Sequence, residues 1–131
     1  MSDAAIRIFV VEDEPIIQEL LRVTLEDGGF GVDTASDGNQ AIDLLEVGDP
    51  PCRALITDIR LAPSALTGWD VARRARELHP DLPVVYITGD SGHHWSSQGV
   101  PNSVLVMKPF AVAQVVTAVS QLLNAARPHE D

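Results

Sequence analysis

Ile6-Arg7-Ile8-Phe9-Val10-Val11-Glu12-Asp13-Glu14-Pro15-Ile16-Ile17 decides the fold. A run rich in β-branched residues, apolar rather than alternating, suits a strand covered on both faces of a parallel sheet. Three acids then end the run, and Pro15 suits the first turn of a helix, where its missing N–H costs nothing. Ile17, Leu20, Leu21, Thr24 and Leu25 fall on one face of that helix until Gly28-Gly29 stops it. The stretch therefore reads as strand, acidic loop, helix.

The same alternation continues along the chain. Further runs occupy Gly31 to Ala35, Ala54 to Thr57, Pro83 to Thr88 and Ser103 to Met107. Only Gly31-Val32-Asp33-Thr34-Ala35 alternates, which places it nearer a sheet edge. Asp37 and Gln40 have capping-box spacing ahead of Ala41, Leu44 and Leu45, and Thr67 and Asp70 resemble a second such start ahead of Val71, Ala72, Ala75 and Leu78. A last helix is predicted from about Ala111 to Ala126, burying Val112, Val115, Val116, Val119, Leu122 and Leu123. Between Asp90 and Asn102 the glycines and Pro101 leave room only for a short helix. Five strand-helix alternations predict an α/β domain, a doubly wound parallel sheet with helices on both faces.

The 131 residues suffice for one core and not for two. One domain over 1–131 is expected, with its core at about 5–126 and a short tail at 127–131. The formal net charge of -10 and nine scattered Lys and Arg residues argue against direct nucleic-acid binding. Cys52 is the sole cysteine, so no internal disulfide can form, and it reads as structural. Neither a signal peptide nor an apolar run of membrane-spanning length is present, so the expectation is a cytoplasmic protein without membrane contact.

In an open α/β sheet, ligands sit outside the carboxyl ends of the strands. The residues ending the runs are Glu12-Asp13, Asp58, Thr88-Gly89 and Lys108-Pro109. Clustered carboxylates repel one another strongly and need a cation. An oxygen-only donor set with positions left to water suits Mg²⁺, with Mn²⁺ as the alternative, better than zinc. A carboxylate is also a competent nucleophile toward phosphorus. Asp58, the single acid ending a buried run, is the candidate, with Lys108 and Thr88 to neutralise phosphoryl charge. Taken singly, each residue has an ordinary structural explanation, such as a helix cap or a turn former; only their combination points to phosphoryl chemistry.

Val10-Val11-Glu12-Asp13-Glu14-Pro15, Leu55-Ile56-Thr57-Asp58-Ile59, Thr67-Gly68-Trp69, Pro83-Val84-Val85-Tyr86-Ile87-Thr88-Gly89 and Met107-Lys108-Pro109-Phe110 resemble, in order, the signature blocks of response-regulator receiver domains. The resemblance covers essentially the whole chain. It implies a flavodoxin-like sheet of order 2-1-3-4-5, Asp58 as phosphoacceptor, Glu12 and Asp13 as the metal-binding pair, and the main-chain carbonyl of Arg60 as a further metal ligand. It further implies Thr88 as the switch hydroxyl, Lys108 as the phosphoryl contact, and a cis peptide before Pro109.

Three features depart from that pattern. Leu105 stands where the family usually carries Tyr or Phe, so the usual aromatic relay is in doubt. From Asp58 to Gly68 the connection is about two residues longer than the common pattern, and Arg60 brings a long cation to the site's mouth. His93-His94-Trp95 lies in the weak fourth-helix region, where adjacent histidines share no helical face and metal binding is disfavoured. An exposed Trp95 would suggest a contact surface.

The expectation is a stand-alone phosphoacceptor module of a two-component phosphorelay. It would take phosphate from a sensor histidine kinase or a histidine phosphotransfer protein and signal to a downstream partner protein, as a monomer or weak dimer. It would not be an enzyme beyond autophosphorylation and autodephosphorylation. An aspartate-nucleophile phosphohydrolase would want an acid two residues beyond its nucleophile, and Arg60 occupies that place after Asp58. A receiver-like scaffold that no longer cycles phosphate would leave the charge cluster without a purpose.

Overall fold

A computed structural model of the chain describes residues 6–48, 51–61, 66–89 and 95–126. The elements are β1 (Arg7–Val11), α1 (Pro15–Asp27), β2 (Gly31–Ala35), α2 (Gly38–Val47), β3 (Ala54–Asp58), α3 (Gly68–Leu78), β4 (Val84–Thr88), α4 (Trp95–Gln98), β5 (Ser103–Met107) and α5 (Val112–Ala126). All strand pairs are parallel, in the order β2-β1-β3-β4-β5. The doubly wound architecture and the edge position of β2 agree with the sequence reading. β5 does not: its apolar run predicts a strand covered on both sides, yet it is the other edge and only Val106 is buried. An apolar edge strand and a central one share a pattern, and only the pairing separates them.

Two apolar layers sandwich the sheet. One gathers Phe9, Val11, Leu55, Val84 and Tyr86 against Ala41 and Leu45 of α2 and Trp69, Val71, Ala72 and Ala75 of α3. The other packs Ile8, Val10, Ile56, Val85 and Ile87 against Leu21 and Leu25 of α1 and Val115 and Val119 of α5. The predicted buried side of α5 is correct. On α1 the face is narrower than predicted: Leu20 is 48% exposed and shares the solvent side with Ile16 and Val23. Cys52 is buried, its thiol bonded to the Ala54 carbonyl and pushed up to about 12 by burial. That agrees with a structural role.

Local signals set the helix starts. Pro15 opens α1, as predicted. Thr67 and Asp70 form a complete capping box on α3. On α2 the box is redirected: Asp37 caps Gln40 N, but the Gln40 side chain accepts from Ser36 N instead of the cap residue. Gly68 permits an unusually close approach. A Cβ there would lie 2.1 Å from the Asp58 carbonyl oxygen and 2.8 Å from Ile59 Cα. Gly68 N instead donates to Ile59 O at 2.8 Å, fastening the start of α3 to the end of β3.

The tail at 127–131, the pair His93-His94, and residues 62–65 of the longer connection lie outside the described residues. α4 is a single short turn, as predicted.

Candidate functional site

Parallel register brings the strand ends to one rim. Val11 pairs with Thr57, and Asp58 with Ile87, so Glu12, Asp58 and Thr88 lie just beyond or at the last paired positions of β1, β3 and β4. Lys108 N donates to Thr88 O at 2.7 Å, which draws the residue after β5 to the same edge. The Lys108–Pro109 peptide is cis, as the resemblance implies. Asp13, Glu14, Asp58, Arg60, Thr88 and Lys108 line an open depression of about 530 Å³ there.

Both oxygens of Asp58 are held. Arg60 N donates to Oδ1 at 3.2 Å, and Lys108 Nζ donates to Oδ2 at 2.9 Å. The same ammonium donates to Glu14 Oε1 at 2.9 Å and lies 3.5 Å from Glu12 Oε1. Burial opposes the charge on Lys108. Its bonds to Glu14 and Asp58 and the attraction of Asp58 and Glu12 outweigh that and hold the ammonium above its ordinary range.

Glu12 is fully buried. Its Oε2 accepts from Glu14 N at 3.0 Å, whereas Oε1 has no hydrogen-bond partner. Burial first, and repulsion from Asp58 second, push its carboxyl from the ordinary 4.5 up to about 8. The Lys108 ammonium 3.5 Å away offsets part of the cost of burying this oxygen, and with Asp58 and Glu14 adjacent the acids still outnumber the one lysine, so a further cation would be stabilised there. Glu12, Glu14 and Asp58 each offer an oxygen within 4.8 Å of the others. All are hard oxygen donors, the set Mg²⁺ prefers, so these residues fit a divalent ion.

The structure thus brings Glu12, Asp58, Thr88 and Lys108 together as expected, with Asp13 and Arg60 on the rim of the same depression. Glu14, legible in the sequence only as part of an acidic triplet, joins Glu12 and Asp58 in the tight cluster, while Asp13 lines the depression without belonging to that trio. Gln18 was missed altogether. Its amide donates to the carbonyls of Glu12 at 2.9 Å and Ala35 at 3.2 Å and to the Ser36 hydroxyl at 3.3 Å, clamping the acidic loop to the end of β2. No local pattern announces such a clamp. It depends on where α1 lies against β2.

A five-stranded parallel sheet of this order, with acids, a hydroxyl and a lysine at one carboxyl edge, defines a flavodoxin-like class of domain with its candidate site where such sheets bind ligands. The response regulator receiver domain family matches residues 8–120, and the chain belongs to that family. It is similar to the response regulator MprA of Mycobacterium avium, 30% identical over 127 residues that make up 95% of this chain and 54% of the relative. The chain therefore spans about half the length of the mycobacterial relatives it matches. Among solved structures, a response regulator receiver protein from Sinorhizobium medicae is 45% identical with a TM-score of 0.90, covering 94% of this chain and 98% of that one. The response regulator TrrA from Thermotoga maritima, solved in complex with Mg(2+)-BeF, is 31% identical with a TM-score of 0.76, covering 88% and 97%. No described helix is long and apolar enough to cross a membrane.

Proposed function

We propose that this receiver domain accepts a phosphoryl group on Asp58 from a phosphohistidine of a sensor kinase or histidine phosphotransfer protein, and signals by protein-protein contact. The observation that carries the reading is the pairing of Asp58 with Lys108 at 2.9 Å, beside a buried Glu12 oxygen that lacks a donor.

An Asp58 oxygen attacks phosphorus, the P–N bond of the donor breaks, and its electron pair stays on the imidazole. Arg60 N fixes the orientation of the carboxylate. Lys108 starts on Asp58 and is placed to follow the charge onto a phosphoryl oxygen. Thr88, buried at the end of β4, offers a neutral hydroxyl on the same side. Glu12, Asp13, Asp58 and the Arg60 carbonyl would hold Mg²⁺, with Glu14 close enough to assist; Mn²⁺ satisfies the same donors. The ion's contribution when bound is to neutralise charge among the acids and the phosphoryl oxygens.

Arg60, exposed at the mouth of the depression, is assigned a second role, tuning the lifetime of the acyl phosphate by steering or excluding water. The domain acts as a cytoplasmic, monomeric or weakly dimeric module without direct nucleic-acid contact, and it catalyses nothing beyond its own phosphorylation and dephosphorylation. Incubation with phosphoramidate and Mg²⁺ followed by intact mass tests the core of this reading. A gain of one phosphoryl group that Asp58→Asn abolishes supports it. Rapid donor turnover without a covalent product points to a phosphohydrolase, and no reaction to a scaffold.

A further inference from the structure

We infer that Tyr86 is the residue that couples the phosphorylation site to α4 in this chain; the inference rests on the phosphoacceptor reading. Tyr86 and Thr88 stand two positions apart on β4 and therefore point to the same face of the sheet. Thr88 borders the depression. Tyr86 is completely buried below it, its ring centroid 4.7 Å from that of Trp69 and its register neighbour on β5 being Leu105. Leucine at 105 supplies bulk without a polar tip, whereas its register neighbour Tyr86 carries a hydroxyl.

That hydroxyl reaches the far end of the α4 segment. Val100 N donates to it at 3.0 Å, in a buried setting where main-chain donors rarely go without a partner. The chain leaves β4 at Thr88 and is fastened back to the same strand at Val100 by the bond to the Tyr86 hydroxyl. Beyond Val100 the path continues outward. Ser103 Oγ donates to Val100 O at 2.7 Å, and the Trp95 indole donates to Ser103 Oγ at 2.9 Å. Trp95 also packs so closely on Gly99 that a Cβ there would fall 2.5 Å from the ring. Trp95 is 37% exposed, so the path runs from the edge of the site to an aromatic at the surface. A shift of Thr88 toward a phosphoryl group pulls on a segment whose far end is tied to the same strand through the tyrosine hydroxyl, beside the bonds from Arg73 to Gln98 and from Ser103 to Val100.

The test follows the Val100 amide and Trp95 indole resonances of the full chain by NMR, before and after phosphoramidate and Mg²⁺, with intact mass in parallel. In the unmodified sequence, phosphorylation should change Val100 amide exchange by about fivefold and shift the Trp95 indole signal. In Tyr86→Phe, which keeps the ring and removes the hydroxyl, phosphoryl gain should proceed at the same rate. Val100 should then exchange about fivefold faster at rest, and its response to phosphate should disappear. In Ser103→Ala, Val100 should still respond and Trp95 should not. An equal Val100 response with and without the hydroxyl, or no response in the unmodified chain despite phosphoryl gain by mass, overturns the coupling and leaves the phosphoacceptor reading standing. Absence of phosphoryl gain removes both.

Discussion

Replacing Gly68 with alanine tests the link between the start of α3 and the phosphoacceptor strand. The added Cβ would lie 2.1 Å from the Asp58 carbonyl oxygen, about 1.3 Å inside the 3.4 Å at which ordinary contact begins. Its next neighbours, Ile59 Cα at 2.8 Å and Asp58 C at 2.9 Å, are also main chain and cannot rotate away. Forced overpacking of this kind costs about 1–3 kcal/mol. Retreat of the helix stretches the bond from Gly68 N to Ile59 O, worth about 1 kcal/mol. Alanine restricts the unfolded chain and returns about 0.4–1 kcal/mol. The net is about 1–4 kcal/mol, or a fall in melting temperature of roughly 4–14 °C for a domain of this size.

Gly89→Ala is the matched control. It lies at the same rim, but among the described residues an added Cβ meets nothing within 4 Å, so stability should stay within about 0.5 kcal/mol of the parent. Urea and thermal denaturation of both variants decide the matter. Because the clash falls on Asp58 itself, Gly68→Ala should also slow phosphoryl gain. Equal melting temperatures for Gly68→Ala and the parent, or equal losses in the two variants, would refute the close approach as the reason for glycine.

Further outcomes are expected. The raised Glu12 carboxyl makes the metal-free folded state bind a proton that the unfolded state releases between its ordinary 4.5 and about 8. Stability in a chelator should therefore fall, by the order of a few kcal/mol, as pH rises through that window. Glu12→Gln should flatten the dependence, and Mg²⁺ affinity in the parent should rise over the same range with proton release measurable by calorimetry; a flat urea-midpoint profile in the parent would contradict the assignment. Thr67→Ala removes the cap that accepts from Asp70 N and should cost about 1 kcal/mol by urea denaturation. Arg60→Ala should change the dephosphorylation rate followed by intact mass; an unchanged rate removes the proposed control of water.

Much of the fold was readable because its signals are local. The Thr67 and Asp70 box, Pro15 at the first turn of α1 and the apolar runs of β1, β3 and β4 each draw on neighbours a few positions away. The misreadings share a cause. Leu20 fits the helical stripe, but the sheet covers only the arc that holds Ile17, Leu21 and Leu25. Ser103 to Met107 has the pattern of a central strand, and no feature of that run says that nothing pairs beyond it.

The sequence by itself determined the alternation of strands and helices and the set of acids, hydroxyl and lysine that end the strands. Tertiary structure decided which of them meet: Lys108 bonds Glu14 across 94 positions of chain, Gln18 clamps Glu12 to Ala35, and Tyr86 holds Val100. Periodicity and capping act over a turn or a strand, whereas these distances depend on the register between strands and on how each helix lies across the sheet.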